Sequence, residues 1–243
     1  MKEFQLRTTF YGHMIEWIPF DRLNNIKKIG EGGFGSVFSA TWLDGIRIRS
    51  REQNSTVALK TLSGSKKNPS DFLKEFENHT KCSLHGSRLM IYGLTQNTAT
   101  NGYLMVFQHA DNGSLHKFLR MKFRDITWQI KFKLLNDISF DLMEIHRAGY
   151  IHADLHSGNI LQDEGISKSL RSYISDLGLS KKVDENNSKG GIYGVLPYVA
   201  PEVLLGQKFT KKADIYGFGV IMSEMSTGQR PFDGYQFDDK LAV

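Results

Sequence analysis

The spacing of apolar positions changes repeatedly along the chain, and each change predicts an element. Ser36-Val37-Phe38-Ser39-Ala40-Thr41-Trp42 alternates with period two, as a half-buried strand does. Val57-Ala58-Leu59-Lys60 is a short apolar strand ending on a lysine. Phe72, Leu73 and Phe76 mark the buried face of a helix over Asp71 to Lys81, with Pro69 and Ser70 at its start and Ser70 as N-cap. Leu89 to Leu94 and Tyr103 to Phe107 read as two strands around a polar turn, Gln96 to Gly102, and turn residues fill Gln108 to Leu115. Leu135, Ile138, Leu142 and Ile145 recur at spacings of 3, 4 and 3, an amphipathic helix that Gly149 is placed to end. Two short strands follow, Ile160-Leu161 and Tyr173 to Asp176, separated by an exposed turn from Gln162 to Arg171. From Leu177 to Val199 the chain is polar and glycine-containing, which suits a mobile segment. Ala213 to Met225 is apolar nearly all round and predicts a buried helix. At the other end, Trp17-Ile18-Pro19-Phe20 is expected to pack an entry segment on the first sheet, because Pro19 disfavours helix there.

Composition narrows the class. A chain of 243 residues, 40% hydrophobic and 23% charged, can bury a sizeable core in one or two domains. It has no run of apolar residues of membrane-spanning length, and Met1 to Arg7 lacks a secretory core, so an intracellular, cytoplasmic protein is expected. One cysteine, Cys82, excludes an internal disulfide framework. The net charge of +5 is mild, and the basic pairs Lys66-Lys67, Lys181-Lys182 and Lys211-Lys212 are scattered and expected in solvated loops. No basic, aromatic-laced face for nucleic acid emerges. The balance is compatible with a polyanionic ligand.

Three stretches carry chemistry. Gly30-x-Gly32-x-x-Gly35 could open a dinucleotide fold or turn a hairpin; the strand from Ser36 onward favours the hairpin, whose tip can approach phosphates closely because glycine has no Cβ. Lys60 offers a compact cation on a long stem, or is simply a surface lysine at a strand end. His152-Ala153-Asp154-Leu155-His156-Ser157-Gly158-Asn159, followed by Asp176-Leu177-Gly178, supplies a carboxylate to orient a hydroxyl and oxygens to hold magnesium over phosphates.

In this order, and with Ala200-Pro201-Glu202 closing the mobile segment, these motifs resemble a protein kinase catalytic domain, nearest the tyrosine-kinase-like group. The resemblance implies an α+β, bilobal fold: a small β-rich lobe over about 20–107, a hinge at 108–113, a helical lobe over 114–243, and ATP between the lobes. It assigns Ile29, Gly30, Gly32, Gly33, Phe34 and Gly35 to the phosphate-covering loop. Val37, Ala58 and Leu161 enclose adenine, and the Gln108, His109 and Ala110 backbone binds its edge. Lys60 takes the α- and β-phosphates, held by Glu75 or, as the alternative, Glu77. Asp154 is the catalytic base, Asn159 and Asp176 are the Mg²⁺ ligands, and Asp214 receives backbone N–H groups from the catalytic loop. Phe107 would close the back of the pocket or be an ordinary core residue.

Four departures from the family pattern stand out. Ala153 replaces an arginine that pairs with a phosphorylated activation segment, so phosphorylation of Ser180, Ser188 or Tyr193 is not expected to be a strong on-switch. His156 replaces a Lys or Arg that helps bind the transferring phosphate, and Val195 replaces a threonine typical of Ser/Thr kinases. Leu177 replaces the Phe of D-F-G. Finally, the chain stops at Val243, soon after Arg230-Pro231-Phe232, before the family's last helices, which suggests a fragment with Glu202 lacking its arginine and apolar surface open on the Asp214 helix. Three functions compete: ATP-dependent phosphoryl transfer to a protein, a nucleotide-binding pseudokinase or scaffold, and a small-molecule kinase.

Overall fold

Period-two alternation in the first hundred residues is realised as one six-stranded sheet. The computed structural model describes residues 15–32, 35–47, 51–61, 69–164, 169–183 and 194–233. The chain divides into two compact units, Met1–His109 and Ala110–Val243. The first holds β1 (Glu16–Trp17), β2 (Leu23–Gly32), β3 (Gly35–Trp42), β4 (Ile46–Arg47), β5 (Arg51–Glu52), β6 (Ser55–Thr61), α1 (Pro69–His85), β7 (Ile91–Gln96) and β8 (Tyr103–Gln108). The sheet order is β1-β7-β8-β6-β3-β2, antiparallel throughout except for the parallel β1–β7 pair, while β4 and β5 form a separate small hairpin.

Alternation along β6 decides what each face does. Val57 and Leu59 are fully buried and join Leu23, Trp42, Leu104 and Val106 in one core, against which Phe20 also packs. Register sets Val37 opposite Lys60 and Ser39 opposite Ala58, so Val37, Ala58 and Lys60 share the other face. Ile18 of the entry segment is buried, whereas Trp17 stays half exposed, edge-on to Tyr103 at 6.3 Å. In α1 the buried face runs through Phe72, Glu75, Phe76, His79 and Cys82, and Leu73, expected on it, is 57% exposed. The helix opens at Pro69, and proline suits a first turn because its missing N–H has no partner to lose; the side chain of Ser70, expected as N-cap, lies outside the described residues.

The second unit contains α2 (Leu115–Lys122), α3 (Trp128–Arg147), β9 (Tyr150–Ile151), β10 (Ile160–Asp163), β11 (Arg171–Ile174), β12 (Lys181–Lys182), α4 (Pro201–Leu204) and α5 (Lys211–Thr227). Short 3₁₀ turns lie at Ser157–Asn159 and Leu196–Tyr198. Ser114 and Thr127 cap α2 and α3 by accepting backbone N–H groups from Lys117 and Ile130. The stripe of α3 is Leu134, Ile138, Leu142 and Ile145, all essentially inaccessible; Leu135 is only partly buried, one position off the expected line. Gly149 at φ 84° ends the helix in the left-handed conformation that glycine adopts without strain.

Several expectations about this unit need correction. Gln162 and Asp163 are buried strand residues paired with Ser172 and Arg171, not part of an exposed turn. Strand β11 stops at Ile174, so Asp176 lies two residues beyond it. Lys181-Lys182 forms β12, paired with β9, and Lys211-Lys212 opens α5, so neither pair sits in a loop. Helix α5 buries Ala213, Asp214, Gly217, Ile221, Glu224 and Met225 but exposes Ile215, Tyr216 and Met222, so it is apolar all round yet buried on one side only. Its close approach depends on Gly217, where a Cβ would lie 2.8 Å from the Leu155 carbonyl oxygen.

Candidate active site

In the first unit Lys60 Nζ lies 2.7 Å from Glu75 Oε1. Glu75 is 1% exposed, and so deeply buried a carboxylate needs a cation beside it. Glu77 instead pairs with Lys81 one turn along α1, which separates the two glutamates the sequence leaves open. His79 Nε2 stands 3.8 Å from the same Glu75 oxygen, and its ring meets Phe107 edge-on at 4.9 Å. Phe107 is itself buried. Val37 and Ala58 are partly buried, as are Gln108 and His109 at the end of the unit, while Ile29 is largely exposed. Gly30 pairs with Val37 and Gly32 with Gly35, so β2 and β3 form the expected hairpin; Gly33 and Phe34 lie outside the described residues.

In the second unit the loop from His152 to Asn159 is hung from α5. Asp214 Oδ2 accepts from the His152 backbone N–H at 2.8 Å and Oδ1 from that of Ala153 at 2.9 Å, and His146 Nε2 also lies 2.8 Å from Oδ2. These bonds hold Ala153 at φ 65°, an uncommon conformation for a residue with a side chain. His152 braces the loop from within. Its Nδ1 accepts from Asp154 N–H at 3.2 Å, which leaves Nε2–H to donate to the Ser175 carbonyl at 3.0 Å.

Asp154 is thereby presented with its two oxygens in different states. Oδ2 accepts from Asn159 Nδ2 at 3.1 Å, and the same amide donates to the Asp154 carbonyl at 3.0 Å. Oδ1 is buried and makes no hydrogen bond. Asp154 lines a small cleft together with His156, Val195, Tyr198, Val199 and Phe209. Gly194, at φ 102°, passes so close that a Cβ there would sit 3.0 Å from Oδ1.

Asn159 and Asp176 are linked through the residue between them in space. Ser175 donates to the Asn159 carbonyl with both its N–H, at 2.9 Å, and its Oγ, at 3.0 Å. Asp176 follows at φ 63°, its Oδ1 accepting from Gly178 N–H at 3.3 Å. With Nδ2 of Asn159 committed to Asp154, its Oδ1 is the atom left to act as a ligand. One amide oxygen and one carboxylate suit Mg²⁺, which takes few protein ligands and completes its octahedron with water and phosphate. Among the described residues no three His, Cys, Asp or Glu side chains converge to hold a metal alone.

Around this core, Leu161 is partly buried on β10 and Ala110 partly buried at the start of the unit. Leu177 is fully buried, as an apolar residue after Asp176 should be. The segment beyond it starts anchored rather than loose: Ser180 is buried and donates to the His152 carbonyl at 3.2 Å, so its hydroxyl is not presented for modification. Ser188 and Tyr193 lie outside the described residues. Glu202 is half-buried, with no ion pair among the described residues.

Sequence reasoning missed one cluster. Tyr198 OH donates to Glu224 Oε2 at 2.5 Å and lies 3.1 Å from Ser157 Oγ. His116 Nδ1 lies 3.2 Å, and Arg230 Nε 3.9 Å, from the other oxygen of Glu224. Burial, and then the Glu224 carboxylate, push the Tyr198 phenol above its ordinary range. Glu224 was hidden within the apolar run of α5; its one readable sign is a charge on the same helix face as Ile221 and Asp214.

The sequence profile of the protein tyrosine and serine/threonine kinase family matches residues 23–243. The chain belongs to that family and has its α+β kinase fold. Among its relatives is a probable serine/threonine-protein kinase of Dictyostelium discoideum, 31% identical over 219 residues, which cover 86% of this chain and 21% of the relative. Another from that organism, the probable serine/threonine-protein kinase roco5, is 29% identical over 226 residues, 90% of this chain and 8% of the relative. Cysteine-rich receptor-like protein kinase 27 of Arabidopsis thaliana is 31% identical over 222 residues, 88% of this chain and 32% of its own length. The chain thus spans a third or less of each of these proteins. Among the described residues no helix is long and apolar enough to cross a membrane.

Proposed function

We propose that this chain transfers the γ-phosphoryl group of ATP to serine or threonine hydroxyls of a protein substrate, with tyrosine as the alternative acceptor. The observation that carries this reading is Asp154: it lines a cleft, with one oxygen held by Asn159 and the other buried without a hydrogen bond. An acceptor hydroxyl entering there gives its proton to Oδ1 as its oxygen attacks phosphorus. Lys60, held by Glu75, is the cation for the α- and β-phosphates. By the family resemblance Val37, Ala58 and Leu161 are assigned to adenine and the Gln108, His109 and Ala110 backbone to its edge, while Gly30, Gly32 and Gly35 leave the hairpin without side chains that would keep it from phosphates. Asn159 Oδ1 and Asp176 would hold magnesium, which neutralises charge on the phosphate oxygens when bound.

Transfer of labelled γ-phosphate to a generic protein substrate tests this. Asp154→Asn and Lys60→Met should each lower the rate by about 10²-fold or more; if neither does, the reading fails. A second reading, a nucleotide-binding pseudokinase, is favoured by Ala153, which puts a buried methyl where the family carries a cation. Its mark is nucleotide-dependent thermal stabilisation with no transfer, reaching about 2.7 kcal/mol at a hundredfold excess over Kd.

A further inference from the structure

His156 stands where the family resemblance would put a cation for the transferring phosphate, but its surroundings describe a different task. Nδ1 accepts from the Gly158 N–H at 3.0 Å and so caps the 3₁₀ turn Ser157–Asn159 that carries Asn159. A ring nitrogen that accepts a hydrogen bond carries no proton, so the neutral imidazole has its hydrogen on Nε2. Nε2 lies 3.7 Å from Asp154 Oδ1, the same oxygen that lacks a hydrogen bond. That spacing is too long for a direct bond. It matches the spacing of two groups that share one oxygen atom about 2.8 Å from each, accepting from Nε2–H and donating to Oδ1.

The ring is held in this pose from two sides. It packs against Tyr198 at 5.9 Å, and Tyr198 is tied down by Glu224 and Ser157. On the other side the imidazole fills the space above Gly158: a Cβ there would fall 2.6 Å from Cε1 and 2.8 Å from Nδ1. His156 and Gly158 are therefore a matched pair, because any side chain at 158 must displace the ring.

We infer that His156 orients the acceptor hydroxyl: locked in one tautomer by Gly158, it presents Nε2–H to the hydroxyl oxygen whose proton points at Asp154. This rests on the phosphotransfer reading, and it adds a residue that fixes the acceptor's lone pairs as Asp154 fixes its proton.

Three measurements on the full chain test it. Imidazole ¹⁵N shifts at neutral pH should identify His156 as the Nε2–H tautomer; an Nδ1–H tautomer would overturn the inference. Gly158→Ala should lower the melting temperature in the wild type and have little effect in a His156→Ala background; equal losses in both would sink the matched pair. In the transfer assay, His156→Ala should lower kcat about tenfold, one hydrogen bond's worth. His156→Gln, whose amide nitrogen reaches where Nε2 was, should recover most of that loss, and His156→Asn, which keeps only the cap, should not; the reverse order refutes the orienting role. A wild-type chain that transfers nothing overturns the phosphotransfer reading itself, and the tautomer and melting results then judge the arrangement of the ring on their own.

Discussion

Asp154 is 8% exposed, and one of its oxygens has no hydrogen bond, an arrangement that works against folding. Leaving a buried acceptor unsatisfied costs about 1–3 kcal/mol, more for a charged group. The surrounding loop accepts that cost, with Ala153 and Asp176 both at positive φ nearby. Such concentration of unfavourable features suits a site kept ready for a ligand. It follows that Asp154→Asn should make the chain more stable while abolishing transfer. For a domain of this size a gain of about 1 kcal/mol raises Tm by about 2–4 °C, readable by calorimetry. A variant that melts well below the wild type would mean that Oδ1 is compensated after all.

Among the elements, α5 does more than fill space. Its Asp214 fixes the backbone of the catalytic loop, and ten residues on its Glu224 anchors Tyr198 in the 3₁₀ turn before Ala200-Pro201-Glu202. Tyr198→Phe removes a donor from a buried carboxylate and should destabilise by about 1.5–3 kcal/mol, the range for hydrogen bonds to charged groups. The pH dependence has a definite sign. Burial and Glu224 raise the folded-state pKa of Tyr198, so between its unfolded value, about 10, and its folded value the unfolded chain binds fewer protons than the folded one. The phenol's contribution is complete below about pH 10 and declines above it. The Tm gap between wild type and Tyr198→Phe should accordingly narrow as pH rises past that point, and a gap that widens would contradict the linkage. Apolar period finds helices such as α3 but not why their polar residues turn inward. Asp141 sits on the buried face of α3 because it accepts from Ile174 N–H at 2.9 Å, a partner thirty-three positions away that no local pattern announces. The same limit explains Leu134 for Leu135 and the exposure of Leu73. Two adjacent leucines both satisfy the period, and the packing partner chooses.

Across the molecule, the motifs legible in the sequence were those whose chemistry needs particular residues at fixed spacing: the glycine hairpin, Lys60, Asp154 with Asn159, and Asp176. What stayed illegible were side chains whose meaning comes from a distant partner, such as Glu224; Glu75 was read ahead of Glu77 as the partner of Lys60, and the ion pair agrees with that reading. The Lys60–Glu75 pair allows stability to be separated from chemistry. Removing Lys60 takes away a cation 2.7 Å from a carboxylate that is almost wholly buried. Breaking such a pair costs about 3–5 kcal/mol, whereas replacing both members with apolar side chains is often neutral. Lys60→Met should therefore lower the melting temperature of the first unit, and Lys60→Met with Glu75→Leu should restore it without restoring transfer. Hydrogen exchange resolved along the chain can follow β6 and α1 apart from α3 and α5, and it should report weakened protection in the single variant only in the first pair. Equal loss of transfer in the two variants, with stability recovered in one, would mean that the lysine's part in phosphate chemistry is distinct from its part in folding. If the double variant melts no higher than the single one, the ion pair is not what holds α1 against the sheet, and the cost of Lys60→Met must arise from packing.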